Sequence, residues 1–364
     1  MAATEQPFRV ALVGFGVSGA VFHGPLLKEN PRFRVDVVVT SHRGRQDAAQ
    51  RLLPEARLLP DYGALLGELD AGTCEIDVVV LCTPPAGHRE QALAAIHRGL
   101  AVVVDKPFAA SSEDARAIIE AAEQHWTPLT VFQNRRWDGD FLTLKQATQE
   151  GRLGSVRTFE SRFEWWMPQG FGNWRDSTRP EDGGGILFDL GSHLIDQALQ
   201  LFGPARPVLG QLRDHPDSFP SGADTDSFVA LQHDSGVLTR LWMSMLSPVL
   251  APRFTVQGSR AGFQSHGLDP QEEQLSHGMS PSHPGFGLPQ AGPGPRPAGP
   301  VLQAGPESEP ITPLPGDYPA FYGLLAEALS GAGPVPVDPR DALAVLELIE
   351  HIRRDAHTTA PTNR

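Results

Sequence analysis

The chain has 364 residues, 40% of them hydrophobic, and its 43 acidic and 30 basic side chains give a net charge of −13. This length is enough for two domains with separate cores. The acidic balance disfavours general binding of nucleic acid, which needs clustered lysine and arginine. The sequence shows neither a run of about 18 apolar residues nor a signal peptide, so we expect no membrane span and a cytoplasmic protein.

The two cysteines, Cys74 and Cys82, are eight residues apart. This spacing matches neither a metal-binding knuckle nor a disulfide framework. We therefore expect two reduced packing residues and no metal site.

The first element predicted along the chain is a strand over 8–13, followed by a glycine-rich turn and a helix over 20–28. In a dinucleotide-binding unit the first glycine makes the tight turn, the second admits the pyrophosphate and the third lets the helix pack on the strand. A second strand, predicted over 34–40, lies where this fingerprint needs it. An ordinary glycine-rich turn is the alternative. The predicted cofactor contacts of the turn are Gly14, Phe15, Gly16, Val17, Ser18 and Gly19.

The end of the second strand bears on the choice of cofactor. A site for NAD usually places an acidic residue about 20 positions beyond the glycines, where it holds the ribose 2′-hydroxyl. Asp36 comes too early for this role, and Ser41 and Arg43 stand at the strand end instead. Because arginine suits a phosphate, the sequence favours NADP, with NAD as the alternative cofactor. The competing interpretation of Arg43 is a solvated surface arginine.

Helices predicted over 48–53 and 62–69 flank a short strand near Leu58. Buried strands are predicted over 77–81, 101–104 and 129–132, with a helix over 88–98. Ligands of open α/β sheets bind beyond the carboxyl ends of such strands. Lys106 follows one of them and is placed to polarise a substrate oxygen, although a surface charge is the alternative. The residues predicted on the cofactor side of these strand ends are Thr83, Pro84, His88, Asp105 and Lys106.

A helix predicted over 183–203 has an apolar face and a polar stripe. The apolar side chains are Leu187, Leu190, Leu194, Ala198 and Leu201, and the polar ones are Asp189, His193, Asp196 and Gln200. Asp189 and His193 are four residues apart, so their side chains are within reach of each other. A carboxylate that orients an imidazole suits proton transfer near neutral pH. The alternative is a solvated helix face.

The second half of the chain is rich in strands. Strand-like runs over 156–166, 227–232, 237–245 and 253–257 follow one another without helices between them. Twelve of the twenty residues from 281 to 300 are proline or glycine, which predicts a surface excursion near 277–316. A flap over the substrate is the alternative for this segment. Helices are predicted over 318–329 and 340–352.

Five motifs together resemble the Gfo/Idh/MocA oxidoreductases, in the branch that contains NADP-dependent scyllo-inositol dehydrogenases. They are the glycine turn, His23-Gly24-Pro25, Asp105-Lys106-Pro107, Asn134-Arg135-Arg136-Trp137-Asp138 and the stretch from Asp189 to His193. Asp105 stands where the family commonly has glutamate.

The resemblance implies an α/β plus α+β fold, with an N-terminal Rossmann dinucleotide-binding domain over 1–125. A C-terminal domain over 126–364, built on an open and mostly antiparallel sheet, would bind the substrate. The resemblance also implies a homodimer or a homotetramer.

The same resemblance implies a dehydrogenase that acts on a polyol, such as an inositol, or on a sugar. Lys106, Asp189 and His193 form its expected catalytic set. Asn134, Trp174 and Arg175 are expected on the cofactor. The expected substrate contacts are Lys106, Arg136, Trp166, Asp189 and His193.

Two other functions remain open at this stage. One is an NADP-sensing regulatory protein without turnover, and the other is a glycoside hydrolase that uses NAD transiently. Lys106, Asp189 and His193 together favour the dehydrogenase.

Overall fold

The computed structural model describes residues 6–215, 222–288 and 299–358, without the side chains of Trp174, His357 and Thr358. Its strands are β1 Phe8–Val13, β2 Phe33–Val39, β3 Arg57–Leu59, β4 Val78–Leu81, β5 Ala101–Asp105, β6 Leu129–Phe132, β7 Val156–Glu164, β8 Ala205–Arg213, β9 Asp226–His233, β10 Leu238–Ser244, β11 Phe254–Gly258, β12 Gly262–Ser265, β13 Val301–Ala304, β14 Glu307–Pro310 and β15 His357–Thr358.

The helices alternate with the strands in the first part of the chain and separate from them later. They are α1 Gly24–Glu29, α2 Arg43–Leu52, α3 Tyr62–Asp70, α4 His88–Ile96, α5 Ser112–Gln124, α6 Gly139–Gln149, α7 Ser192–Phe202, α8 Gln271–Ser276, α9 Pro319–Leu329 and α10 Pro339–Asp355. Side-chain caps begin α3 and α5, because Asp61 accepts from the Ala64 N–H and Ser111 from the Asp114 N–H. Two π-helical segments, Ser18–His23 and Leu187–Gly191, lead directly into α1 and α7.

Six parallel strands form the first sheet, in the order β3-β2-β1-β4-β5-β6. Val13 at the end of β1 pairs with Val39 of β2 and with Leu81 of β4. β4 is buried along its whole length, as expected for a strand covered on both faces. The strand order reverses at β1, so the carboxyl ends of β1 and β4 flank the crevice where such sheets bind ligands.

Two compact units make up the chain, and the first is assembled from three segments: Met1–Asn134, Pro270–Gly287 and Asp317–Leu343. Aromatic side chains join the last segment to the first sheet. The Phe132 ring lies 4.8 Å from Phe321, and the Phe33 ring lies 5.4 Å from Tyr322, centroid to centroid. The predicted division at residue 125 differs from this arrangement in two ways. β6 is the edge strand of the parallel sheet, and α8 and α9 also belong to the first unit.

The second unit comprises Arg135–Asp269, Leu288–Gly316 and Ala344–Arg364. It contains a nine-stranded sheet in the order β14-β13-β12-β11-β7-β10-β9-β8-β15. The pairs β7–β10 and β8–β15 are parallel, and the other pairs are antiparallel. The expected fold class, a Rossmann domain followed by a mostly antiparallel sheet domain, is therefore confirmed.

The described residues on either side of the proline- and glycine-rich stretch pack on the rest of the chain. Residues 289–298 lie outside the described residues. Before them, Phe286 is buried and the Gly287 N–H donates to the Gln274 side chain over 2.8 Å. After them, β13 and β14 form a hairpin at one edge of the nine-stranded sheet. The segment over 277–316 therefore contains two strands that the sequence does not predict, and β14 is exposed along its whole length.

In the described part of the chain, no helix is long and apolar enough to cross a membrane. Cys74 is buried, Cys82 is partly buried, and both are free thiols.

Candidate active site

The glycine turn follows β1 at the carboxyl edge of the first sheet. Gly14 has a φ of +96°, and a Cβ there would lie 2.8 Å from the Cys82 carbonyl oxygen. A Cβ on Gly19 would lie 3.2 Å from the Gly14 carbonyl carbon and inside contact distance of its oxygen. At Gly16, by contrast, a Cβ would meet no described atom within 4 Å. The turn therefore leaves open backbone at the position where a dinucleotide pyrophosphate must approach.

The other residues of the turn differ in what they expose. The Phe15 side chain is 2% exposed, so this residue can offer a cofactor only its backbone. Val17 is 56% exposed, and the Ser18 hydroxyl is buried.

The end of β2 presents polar and basic side chains at the same edge of the sheet. Ser41, His42 and Arg43 are exposed, and Arg43 begins α2. Asp36 lies inside β2, where its carboxylate accepts a 2.6 Å hydrogen bond from Arg34. The described residues from Val39 to Arg45, which form this strand end, include no acidic side chain.

The loop after β4 is held from within the first unit. The Thr83 hydroxyl donates to the Gln91 side chain over 2.6 Å, and Pro84 is exposed. His88 is fully buried, with its ring nitrogens 2.7 Å from the Thr83 carbonyl and 3.1 Å from the Phe108 carbonyl. Burial lowers the pKa of His88 below its usual value, although these carbonyls oppose the shift. The His88 ring thus joins two loops inside the unit, and the cofactor contact of this residue stays a prediction.

Asp105 and Lys106 follow β5 at this edge. The Asp105 side chain is 16% exposed, and its Oδ1 accepts the Lys106 backbone N–H over 2.8 Å. The same oxygen lies 3.9 Å from His23 Nε2. Asp105 therefore directs this oxygen into the unit, whereas the sequence predicts a cofactor contact.

In the second unit, three consecutive glycines precede the helix that was expected to carry the chemistry. Gly183 has a φ of +85°, and a Cβ on it would lie 2.7 Å from the Phe188 ring. A Cβ on Gly184 or Gly185 would overlap the Thr178 carbonyl or the Asp224 side chain. Only glycine fits these close approaches.

Asp224 and Arg353 hold this helix start. Asp224 accepts the Leu187 N–H over 2.8 Å, and Arg353 donates to the carbonyls of Pro180 and Gly184. Arg353 comes from α10, so the far end of the chain fixes the start of the helical segment.

His193 lies in the first turn of α7 and Asp189 in the π-helical segment before it. His193 is 3% exposed and its ring stacks on Phe163 with centroids 6.5 Å apart. Asp189 Oδ2 lies 3.7 Å from Arg175 Nε. Asp196 is 2% exposed, so the polar stripe is not the solvated face that the sequence leaves as an alternative.

The Asn-Arg-Arg-Trp-Asp motif is anchored to α7. Arg136 makes a two-pronged ion pair with Asp196, with N···O distances of 2.8 Å and 2.6 Å. Gln197 donates to the Arg135 carbonyl over 2.9 Å and accepts from Arg253 over the same distance. The sequence predicts Arg136 as a substrate contact, but these bonds give it a structural anchor on the helix.

The remaining predicted contacts are spread over both units. Asn134 is buried at the start of a 3-10 helix. Trp166 is 58% exposed, whereas Trp165 packs between Phe163 and Phe171. The Trp174 side chain lies outside the described residues.

Sequence reasoning missed several residues that shape the site. They are Gln91, Tyr322, Asp224, Gln197, Arg253 and Arg353. Gln91 contacts Thr83 from eight positions away. Each of the others makes its contact across 37 or more positions of sequence, so no local pattern marks it. Among the described residues, no cluster of three or more His, Cys, Asp or Glu side chains is arranged to hold a metal ion.

The doubly wound sheet, with its glycine turn at the ligand edge, defines a dinucleotide-binding protein. Two family models match the chain. The oxidoreductase family model with an NAD-binding Rossmann fold covers residues 8–133, and the GFO/IDH/MocA C-terminal domain covers residues 141–264. The chain belongs to the Gfo/Idh/MocA family of oxidoreductases, which confirms the resemblance and the enzyme class expected from the motifs.

Individual relatives match over nearly the whole chain. The uncharacterized oxidoreductase YdgJ of Escherichia coli strain K12 is 37% identical over 94% of both chains. The NADP-dependent scyllo-inositol 2-dehydrogenase IolW of Bacillus subtilis strain 168 is 30% identical over 94% of this chain and 92% of its own. The crystal structure of an oxidoreductase from Bacillus cereus aligns with a TM-score of 0.82 at 26% identity, over 98% of this chain and 97% of its own.

Proposed function

We propose that the protein is an NADP-preferring dehydrogenase that interconverts a secondary alcohol and a ketone on a polyol, such as an inositol, or on a sugar. The observation that carries the proposal is the buried position of His193 on α7. His193 belongs to the second unit, and the first unit has the fold of a dinucleotide-binding domain. IolW, which is 30% identical over most of both chains, is named for this reaction on scyllo-inositol.

The first unit fits a dinucleotide. Open backbone at Gly16 leaves space for the pyrophosphate. Thr83, Pro84, Asp105 and Lys106, also expected to hold the cofactor, lie at the ends of the neighbouring strands β4 and β5. Exposed Ser41 and Arg43 supply a hydroxyl and a cation for a 2′-phosphate. An NAD-dependent hydrolase is disfavoured, because an NAD site usually has an acid at the strand end to hold the ribose 2′-hydroxyl. Asp36 lies inside its strand instead, paired with Arg34. When bound, the nicotinamide supplies hydride transfer at the substrate carbon.

The chain itself supplies the proton chemistry. A carbinol loses its hydroxyl proton as hydride leaves, so the reaction needs a base and a positive group near the oxygen. His193 takes that proton and returns it in the reducing direction. Asp189 orients the imidazole, and Arg175 is 3.7 Å from that carboxylate. Lys106 polarises the substrate oxygen.

The test is a panel of inositols and aldoses, each incubated with NADP or NAD and followed by the absorbance of the reduced nicotinamide cofactor. We expect turnover of at least one polyol or sugar, with a higher kcat/KM for NADP than for NAD. A higher kcat/KM for NAD would contradict the cofactor assignment. Absence of turnover on every polyol and sugar would contradict the substrate class.

A further inference from the structure

His23 belongs to the His-Gly-Pro motif, to which the proposed function assigns no role. Its side chain is fully buried at the end of the π-helical segment before α1. The ring Nδ1 lies 2.6 Å from the Tyr322 hydroxyl, and the ring centroid lies 4.2 Å from that of Phe132. A polar ring is thus held inside an aromatic cluster of the first unit.

The other ring nitrogen faces the Asp-Lys-Pro motif. His23 Nε2 lies 3.9 Å from Asp105 Oδ1, and within the described chain it has no hydrogen-bond partner. The same carboxylate oxygen accepts the Lys106 backbone N–H over 2.8 Å. A chain of contacts therefore runs from α9 to the end of β5: a hydrogen bond joins Tyr322 to His23, a 3.9 Å charge contact joins His23 to Asp105, and a hydrogen bond joins Asp105 to the Lys106 peptide.

The charges along this chain fix the direction of its hydrogen bonds. Burial alone would raise the pKa of Asp105, but the facing His23 ring, with Ser18 and Lys106, outweighs this and the pKa lies below its usual value. Burial raises the pKa of Tyr322, and the nearby Cys82 and Asp105 raise it further. Asp105 is thus an ionised acceptor and Tyr322 a protonated donor.

The tautomer of His23 follows from these two neighbours. A neutral imidazole carries one N–H, and the ionised carboxylate favours it on Nε2. Nδ1 is then an acceptor, so the Tyr322 O–H donates to it. The Nε2–H then faces the Asp105 carboxylate across 3.9 Å, while the Lys106 N–H donates to the same oxygen over 2.8 Å.

We propose that Tyr322 and His23 are positioning residues that act through Asp105 to fix the Lys106 peptide at the active-site edge of β5. This role rests on the proposed function, in which Lys106 polarises the substrate oxygen. It also gives a use to the aspartate that stands where the family commonly has glutamate. The shorter side chain directs one oxygen to its own neighbouring peptide and to His23.

The kinetic test compares Tyr322→Phe, Asp105→Asn and the double variant on the best substrate of the panel. Tyr322→Phe removes one hydroxyl and keeps the ring, so we expect kcat to fall about three- to tenfold, the effect of one hydrogen bond. The Kd for NADPH should stay within about twofold, because the glycine turn is untouched. Tyr62→Phe is the matched control, since it removes the hydroxyl that donates to the Gln91 carbonyl over 2.8 Å. This control should keep the parental kcat.

A chain of dependent contacts makes the losses non-additive. The double variant should lose much less kcat than the product of the two single losses. Asp105→Glu keeps the carboxylate and should retain more activity than Asp105→Asn. Unchanged kcat in Tyr322→Phe, or a double loss equal to the product, would overturn the proposal, even if the melting temperature fell.

A second measurement does not depend on turnover. Long-range ¹H–¹⁵N spectra of the cofactor-free protein report the His23 tautomer, with the signal assigned by its loss in His23→Gln. We expect the Nε2–H form in the parent protein, and the Nδ1–H form would overturn the proposal. A protein that shows the Nε2–H form but turns over no polyol or sugar would contradict the proposed function instead.

Discussion

Gly16 and Gly19 lie three residues apart in one turn, but a methyl group added to each should have opposite effects. At Gly19 the new Cβ would lie 3.2 Å from the Gly14 carbonyl carbon and closer still to its oxygen. Gly14 cannot easily retreat, because its N–H donates to the Val39 carbonyl over 2.9 Å. We expect Gly19→Ala to lower the free energy of unfolding by about 1–3 kcal/mol, the usual cost of overpacking.

At Gly16 no described atom lies within 4 Å of the added methyl group, and φ is not left-handed. Gly16→Ala should therefore leave the free energy of unfolding unchanged or raise it by about 0.4–1 kcal/mol. The methyl group would occupy the space needed by the pyrophosphate, so the Kd for NADPH should rise by about tenfold or more, equivalent to about 1.4 kcal/mol.

Urea unfolding and NADPH fluorescence titration measure the two effects separately. Gly67→Ala is the matched control, since Gly67 lies in α3 with no described atom within 4 Å of an added Cβ. It should change neither the NADPH affinity nor the fold. Parental NADPH affinity in Gly16→Ala would refute the assignment of this turn to the cofactor.

Three further predictions concern charge. Arg43→Ala should weaken NADP binding by about 1.5–3 kcal/mol and leave NAD binding nearly unchanged in parallel titrations; equal losses for both cofactors would exclude a 2′-phosphate contact. Asp196→Ala removes the carboxylate of a buried ion pair, so urea unfolding should show a loss of about 3–5 kcal/mol; a loss below about 1 kcal/mol would contradict this role. Because burial lowers the pKa of His88, its neutral form stabilises the fold above a pH of about 6.5, and this contribution falls as the pH drops. From pH 7.5 to 5.5 the free energy of unfolding should therefore fall more in the parent than in His88→Gln, by at most about 1.4 kcal/mol per pH unit. The control His277→Gln, which changes an exposed histidine, should behave like the parent. Parallel losses in His88→Gln and the parent would contradict the lowered pKa of His88.

Local patterns predicted the first sheet well. β1 and β6 have the predicted bounds, because each is a short apolar run between polar or glycine-rich segments. The helix predicted over 20–28 lies partly in a π-helical segment, and the one predicted over 183–203 begins only after the three glycines, with the π-helical segment from Leu187. The periodicity indicates neither segment. The glycine fingerprint correctly located the turn, since Gly14 and Gly19 each solve a local steric problem and Gly16 leaves its backbone open.

Long-range packing was beyond the sequence patterns. β14 is exposed along its whole length and has the sequence Glu-Ser-Glu-Pro, which shows no apolar alternation. β8 contains Pro207 and Gly210, and its pairing with β9 shifts register after Pro207. His23 and Tyr322 are 299 residues apart, so their contact depends on the return of α9 to the first unit. The direction of the His88 ring could not be predicted either, because a histidine that opens a helix after a strand end does not reveal which way its ring faces.

The central claim is that His193 carries the proton in a hydride-transfer reaction. The most direct measurement is the kcat of His193→Ala with NADP and the best polyol or sugar, alongside its NADPH affinity and melting curve. We predict a loss of about 10²–10⁴-fold in kcat, the usual contribution of general acid-base catalysis, with NADPH binding retained. A kcat close to that of the parent, in a folded variant that binds NADPH, would contradict the account.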